Sequence, residues 1–265
     1  MRRAACLLLT AVFLLLLCAD FLAPYPFARQ FREAPNSPAS GAHLLGTDAL
    51  GRDRLSRLLY GARVSLLLAP AAALVSVALA LAMALAAASA GVWLERGLMA
   101  AADLCLSLPW IFLLIAARAM LPLNVGSGAA ALATFGLLGL LGWAGPARVM
   151  TAAAGRYLRS DFALLARASG CGRARLAAVH LAPNLYPLAL AQFLIATPTF
   201  LLAEANLGLL GLGIPEPMPS WGSLLRELES LPAVTANPWA LAPALLLILV
   251  VGCFHAAVSA DEYHV

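Results

Sequence analysis

Asp20, Asp103, Arg118 and Glu204 sit in or at the ends of long apolar runs. A charge at the centre of a bilayer costs roughly 2.5–3.5 kcal/mol on insertion scales, so each is a candidate for work inside a membrane. If Asp103, Arg118 and Glu204 converge, they describe a membrane enzyme acting on lipid or peptide. The plainer reading puts each near a helix end with its head drawn to water. Glu204 lies deepest. Other chemistry-bearing residues are dispersed. His43, His180, His255 and His264 show no H-E-x-x-H spacing, so no metal site is expected from them. The five cysteines form no C-x-x-C pair, and four stand in apolar runs, where Cys acts as a small hydrophobe. No G-x-S-x-G elbow occurs. All 17 basic residues are Arg. Without Lys there is no G-x-x-x-x-G-K-[ST] phosphate loop and no Schiff-base chemistry. No catalytic residue, cofactor or metal is expected in this chain.

One polar segment stands out between two apolar stretches. Residues 161–184 read DFALLARASGCGRARLAAVHLAPN. The pattern predicts two short helical pieces hinged at Gly170 and Gly172 and stopped by Pro183. Such an element rests on a membrane surface, where a soluble partner can grip it. Its Arg side chains offer charge-assisted hydrogen bonds to that partner.

The elements that position these residues follow from composition. Of 265 residues, 63% are hydrophobic and 11% charged, against about 45–50% and about 25% in soluble domains. The apolar runs are Ala- and Leu-rich and do not alternate, so helices rather than a barrel are expected. The fold class is an all-α integral membrane protein. A first span ends near Leu22 and is expected to remain uncleaved. Further spans are predicted at about 64–92, 98–121, 129–147, 185–210 and 239–257, six in all. Residues 24–63 form a polar loop whose part from 50 to 63 is expected as an interfacial amphipathic helix, with Leu55, Leu58 and Leu59 on one face and Arg54 and Arg57 on another. Residues 211–238 hold five prolines and form a stiff connector. Trp221 and Trp239 suit the membrane–water interface. Gly208, Gly211 and Gly213 permit close helix approach. Arg2, Arg3 and Arg96 favour a cytoplasmic N-terminus, which puts the 148–184 loop and both termini on the cytoplasmic side. The net charge of +4 calls for lipid headgroups and no nucleic acid. The division expected is 1–63, first span and extracytoplasmic loop; 64–258, transmembrane core with the 148–184 loop; and 259–265, a short tail.

Three segments then coincide: H43-LLGTDALGRDRLSRLLYGARVSL, the 161–184 loop, and AEANLGLLGLGIPEPMPSWG ending at Gly222. In order and spacing they resemble the C-type permease subunit of dipeptide, oligopeptide and nickel ABC importers, over about residues 5–258. The resemblance implies a type I importer permease of about six spans in a bacterial inner membrane. It also implies a homologous second permease, two cytoplasmic ATPases carrying ATP and Mg, and an extracytoplasmic solute-binding protein. Within the 161–184 loop it assigns ATPase coupling to Asp161, Ala166, Arg167, Ala168, Gly170, Arg173, Arg175 and Pro183. It marks Gly46, Asp48, Gly51, Arg52, Asp53, Arg57, Gly61, Arg63, Gly211, Gly213, Trp221 and Gly222 as extracytoplasmic motif residues. The chain departs from the family where Leu164 and Leu165 replace the usual Glu-Ala of the coupling motif. It also lacks the family's usual C-terminal sequence, and its segment before the first span is short. The expected solute is a di- or oligopeptide. The alternatives are nickel or another small solute of the same family, or the membrane enzyme above.

Overall fold

The structure is a computed structural model that describes residues 2–119, 125–230, 234–235 and 237–259. The expected tail at 259–265 lies outside the described residues apart from the backbone of Ser259. The described residues form helices and no strand, in two compact units. Among the described residues, four helices are long and apolar enough to cross a membrane: Arg54–Ala90, Ser127–Tyr157, Arg173–Leu209 and Pro238–Val258.

The first unit comprises Met1–Ala69, Arg118–Phe135 and Pro198–Val265. Helix α1, Arg2–Leu17, breaks at Cys18 and a short turn α2, Ala19–Leu22, follows. Ala5, Leu16 and Ala19 are buried, whereas Leu7, Leu14 and Phe21 point outward. Such an apolar exterior suits lipid, not water.

Helix α3 covers Arg54–Ala90. The expected interfacial helix and the next span are one continuous element, because nothing between Arg54 and Val64 breaks a helix. At about 1.5 Å per residue, 37 residues exceed the roughly 30 Å hydrocarbon core, so the polar start of α3 has length to spare outside it. Arg54 and Arg57 do not lie on a solvated face as expected; both are buried.

The second unit comprises Pro70–Ala117 and Gly136–Thr197. Here α4, Val92–Ser107, starts straight after Gly91, so the stretch between the spans expected at 64–92 and 98–121 is helical. The span expected at 98–121 divides at Pro109 into α4 and α5, Trp110–Ala119. Leu108 is extended (φ −86, ψ 133), as a residue before proline prefers. Helix α6, Ser127–Leu141, and α7, Ala144–Tyr157, complete the region before the polar loop. The core is built from Val77, Ala80, Ala84, Ala147, Met150 and Ala189. Alanines let the backbones close in; a Cβ on Gly139 would stand 2.9 Å from the Ala72 carbonyl oxygen.

Helix α8, Asp161–Ala168, is followed by α9, Arg173–Leu209. Pro183 does not stop α9. Residues Leu176–Leu181 widen into a π-helical segment just before it. That widening makes room for the proline ring, which in a regular helix clashes with the carbonyl four residues back. The Asn184 side-chain amide donates to the His180 carbonyl at 2.6 Å and satisfies one backbone acceptor. The last described helices are α10, Trp221–Arg226, and α11, Ala242–Ser259, which packs along α1 in the first unit.

Candidate functional site

In the first unit the H43-to-L66 segment folds as a clasp held by its own side chains. Asp48 Oδ1 accepts from the backbone N–H of Leu50 and of Arg52, at 2.9 and 2.8 Å. Gly51 sits at φ +72 inside this turn, where a Cβ would stand 2.1 Å from the Phe31 carbonyl oxygen. Gly46, at φ +74, is equally crowded by Ser37 and Asn237. Asp53 caps α3: its Oδ2 accepts from Ser56 N and Ser56 Oγ, both at 2.8 Å, and its Oδ1 lies 2.9 Å from His43 Nδ1.

Three of the four arginines of this segment, Arg52, Arg54 and Arg57, turn inward onto three acids. Arg52 reaches Asp48 and Glu216, both at 2.6 Å. Burial disfavours its charge, but Asp48 and Glu216 outweigh that and raise its pKa. Arg57 donates to Glu216 at 3.0 Å and stands 3.6 Å from Asp48. Arg54 donates to Glu227 at 2.7 Å and to the Thr47 carbonyl at 2.9 Å. Sequence reasoning missed Glu216 and Glu227. Their only signal was three arginines at 52, 54 and 57 with too few acids nearby. Burial pushes the Glu227 carboxyl up, against the pull of Arg54.

Glu204, on α9, is fully buried. It accepts from Ser65 Oγ at 3.2 Å and from Gly222 N at 3.3 Å. Ser65 in turn accepts from Trp221 N at 3.2 Å. The AEANLG and SWG motifs therefore meet backbone to backbone. A Cβ on Gly208 would stand 2.2 Å from Gly222 Cα, and one on Gly213 2.7 Å from Gly208 Cα. Trp221 is buried at this contact, a correction to the interfacial place expected for it; Trp239 is exposed. Gly61 gives Leu224 and Pro219 of the same region room to approach. Arg63 pairs with Asp20 at 2.6 Å, and Tyr60 donates to the same carboxylate at 2.9 Å. Beside Gly208, Gly211 and Gly213 opens a cavity of about 280 Å³ that Glu216 and Arg226 also line.

In the second unit α8 ends in a Schellman motif. Gly170, at φ +80, donates its N–H to the Arg167 carbonyl, and Cys171 donates to Ala166, both at 3.0 Å. Ala163 is buried, Ala166 half-buried, and Phe162, Leu164, Leu165 and Ala168 are exposed. Asp161, Arg167, Arg173, Arg175 and Pro183 are exposed too. Among the described residues none of these arginines has a carboxylate partner. Asp103 pairs with Arg148 at 2.5 Å. Asp103 and Glu204 thus have separate partners, and the side chain of Arg118 lies outside the described residues.

Residues 66–260 match the family of the binding-protein-dependent transport system inner membrane component. The chain is 28% identical over 239 residues to the dipeptide transport system permease protein DppC of Bacillus subtilis, covering 90% of this chain and 72% of that one. It is 36% identical over 244 residues to the DppC of Escherichia coli, covering 89% and 79%. It is 27% identical over 235 residues to the oligopeptide transport system permease protein OppC of Bacillus subtilis, covering 89% and 74%. Three quarters of the chain and most of its apolar helices fall within that match, and this chain belongs to the binding-protein-dependent transport system inner membrane component family.

Proposed function

We propose that this chain is one permease subunit of an ATP-driven, binding-protein-dependent importer of di- and oligopeptides in a bacterial inner membrane. The solute class rests on its relatives, which are dipeptide and oligopeptide permease proteins. The coupling role rests on α8 and the loop after it, which hold Phe162, Leu164 and Leu165 outward among arginines that have no carboxylate partner among the described residues. A chain without Lys and without a phosphate loop takes its energy from other subunits. Two cytoplasmic ATPases bind ATP and Mg and grip α8. A homologous second permease completes the pathway, and an extracytoplasmic binding protein delivers the solute. Both termini and α8 are cytoplasmic. ATP drives the cycle because it binds the inward- and outward-facing states with different affinity. Leu164 and Leu165, where the family carries Glu-Ala, make this grip more apolar than a carboxylate would.

The test is gentle detergent purification of the tagged chain from its own membrane, followed by reconstitution in liposomes. Recovery of a second permease, two ATPases and a binding protein, with uptake of labelled Ala-Ala that needs ATP on the α8 side, is the expected result. Recovery of this chain alone under conditions that preserve known importer complexes would overturn the reading.

A further inference from the structure

Among the described residues, the cavity beside Gly208, Gly211 and Gly213 is lined by two charged side chains, Glu216 and Arg226, and by Ser223. Their situations differ. The Glu216 carboxylate is already engaged by Arg52 and Arg57. Behind it Asp48 joins the same cluster, so two acids balance two arginines. Glu227 is taken by Arg54. The Ser223 hydroxyl is spent on Ser220. Arg226 remains: it is exposed and has no carboxylate partner among the described residues. Its guanidinium lies over Gly211, 3.4 Å from where a Cβ would stand there. Among the described residues the lining thus presents one uncompensated charge, and it is positive.

From this charge balance we infer that the cavity takes the carboxylate end of the transported solute, with Arg226 as the residue that binds it. The inference rests on the peptide-import reading above. A guanidinium donates two parallel hydrogen bonds to a carboxylate, which a point charge does not match. The volume of about 280 Å³ lies just below the roughly 300–1,000 Å³ of pockets for drug-sized ligands, which fits the terminal part of a short peptide. Gly211, at φ +75, keeps the approach to the guanidinium free of a side chain.

The experiment uses the co-purified importer with its binding protein in liposomes. Labelled Ala-Ala and its C-terminal amide are each supplied at a concentration that saturates the binding protein. Uptake per ATP hydrolysed is compared for wild type, Arg226→Met and Arg226→Lys. The expected result is a loss of about tenfold in Ala-Ala uptake per ATP for Arg226→Met, as removal of one charge-assisted contact predicts. ATP hydrolysis stimulated by the loaded binding protein stays near wild type, amide uptake per ATP changes little, and Arg226→Lys recovers part of the loss. Unchanged Ala-Ala uptake, equal losses for both solutes, or a fall in stimulated hydrolysis that parallels uptake would overturn the assignment of Arg226 while leaving the import reading intact. Absence of ATP-dependent Ala-Ala uptake in the wild type would instead sink the import reading, and this inference with it.

Discussion

Replacing Arg57 with Met tests whether the buried ion cluster joins the H43-to-L66 clasp to the loop that carries Glu216. The Arg57 side chain is 1% exposed and meets Glu216 at 3.0 and 3.3 Å. Its removal leaves Asp48 and Glu216 to share Arg52. Deleting one partner of a buried pair costs about 3–5 kcal/mol. Two features lower that here. Half of the Glu216 side chain is exposed, so water takes over some of the lost interaction. Asp48 keeps Arg52 at 2.6 Å and two backbone N–H groups. The expected cost is about 2 kcal/mol for Arg57→Met and about 1 kcal/mol for Glu216→Gln. The two changes remove the same contact, so the double variant should lose about 2 rather than about 3 kcal/mol. Denaturant titration of the purified chain in detergent, read by tryptophan fluorescence, measures all three, and Trp221 is a buried reporter in the same unit. Losses that add within about 0.3 kcal/mol would refute the coupling. Losses that vanish in about 1 M salt would place the pair at the surface, since buried charges are screened little.

Gly222→Ala should destabilise by about 3 kcal/mol in the same titration, because the added Cβ would lie 2.7 Å from the Glu204 carbonyl oxygen and 2.9 Å from Gly208 Cα, neither of which yields easily. Gly170→Ala meets open space and carries only the strain of a positive φ, about 1–2 kcal/mol. Gly170→Pro has no access to that φ, so a membrane-inserted Gly170→Pro variant should fail in solute uptake, and normal uptake would remove the coupling role of the α8 loop. Glu227 gives a pH test. The folded chain holds its proton to higher pH than the unfolded chain, so this group makes stability fall as pH rises from the usual glutamate range through its raised value. Glu227→Gln should therefore flatten the stability profile as pH rises above the usual glutamate range, and an unchanged slope would contradict the burial of that carboxyl.

The parts of the fold legible in sequence are those written locally. Apolar runs mark the four long helices, and a glycine two residues past α8 marks its Schellman turn. The H43-to-L66 clasp is partly of this kind, since Asp48 and Asp53 bond to backbone only a few residues on. The illegible parts depend on distant partners. Arg57 looks like the polar face of an amphipathic helix until Glu216, 159 residues later, takes its charge. Trp221 looks interfacial until Gly208 and Gly222 bring two backbones into contact and close over it. Pro183 looks like a stop because a regular helix rejects it, and nothing in LAAVHL announces the π-helical turn that admits it. Hydrophobic pattern fixes where a helix runs; burial of its charged residues is decided by side chains the pattern does not see.

The chain treats its arginines in two opposite ways, and the contrast bears on function. Arg52, Arg54 and Arg57 are buried, and each is matched by an acid within the first unit. A buried charge left unmatched there would cost several kcal/mol, so these residues are bound to the fold and are poor candidates for contact with a transient partner. Arg167, Arg173 and Arg175, in the second unit, are exposed and unmatched among the described residues. An exposed arginine adds little to stability, so nothing in the folding of this chain alone accounts for three of them around an apolar face of Phe162, Leu164 and Leu165. A partner that covers such a surface supplies both terms at once: acids that regain the charge-assisted bonds, and apolar area that removes the leucines from water. Motif residues that complete the fold and motif residues held ready for another chain are thus separated by whether this chain satisfies them itself. Arg226 falls with the second kind although it lies in the first unit, and for that reason it is assigned to the solute rather than to the scaffold.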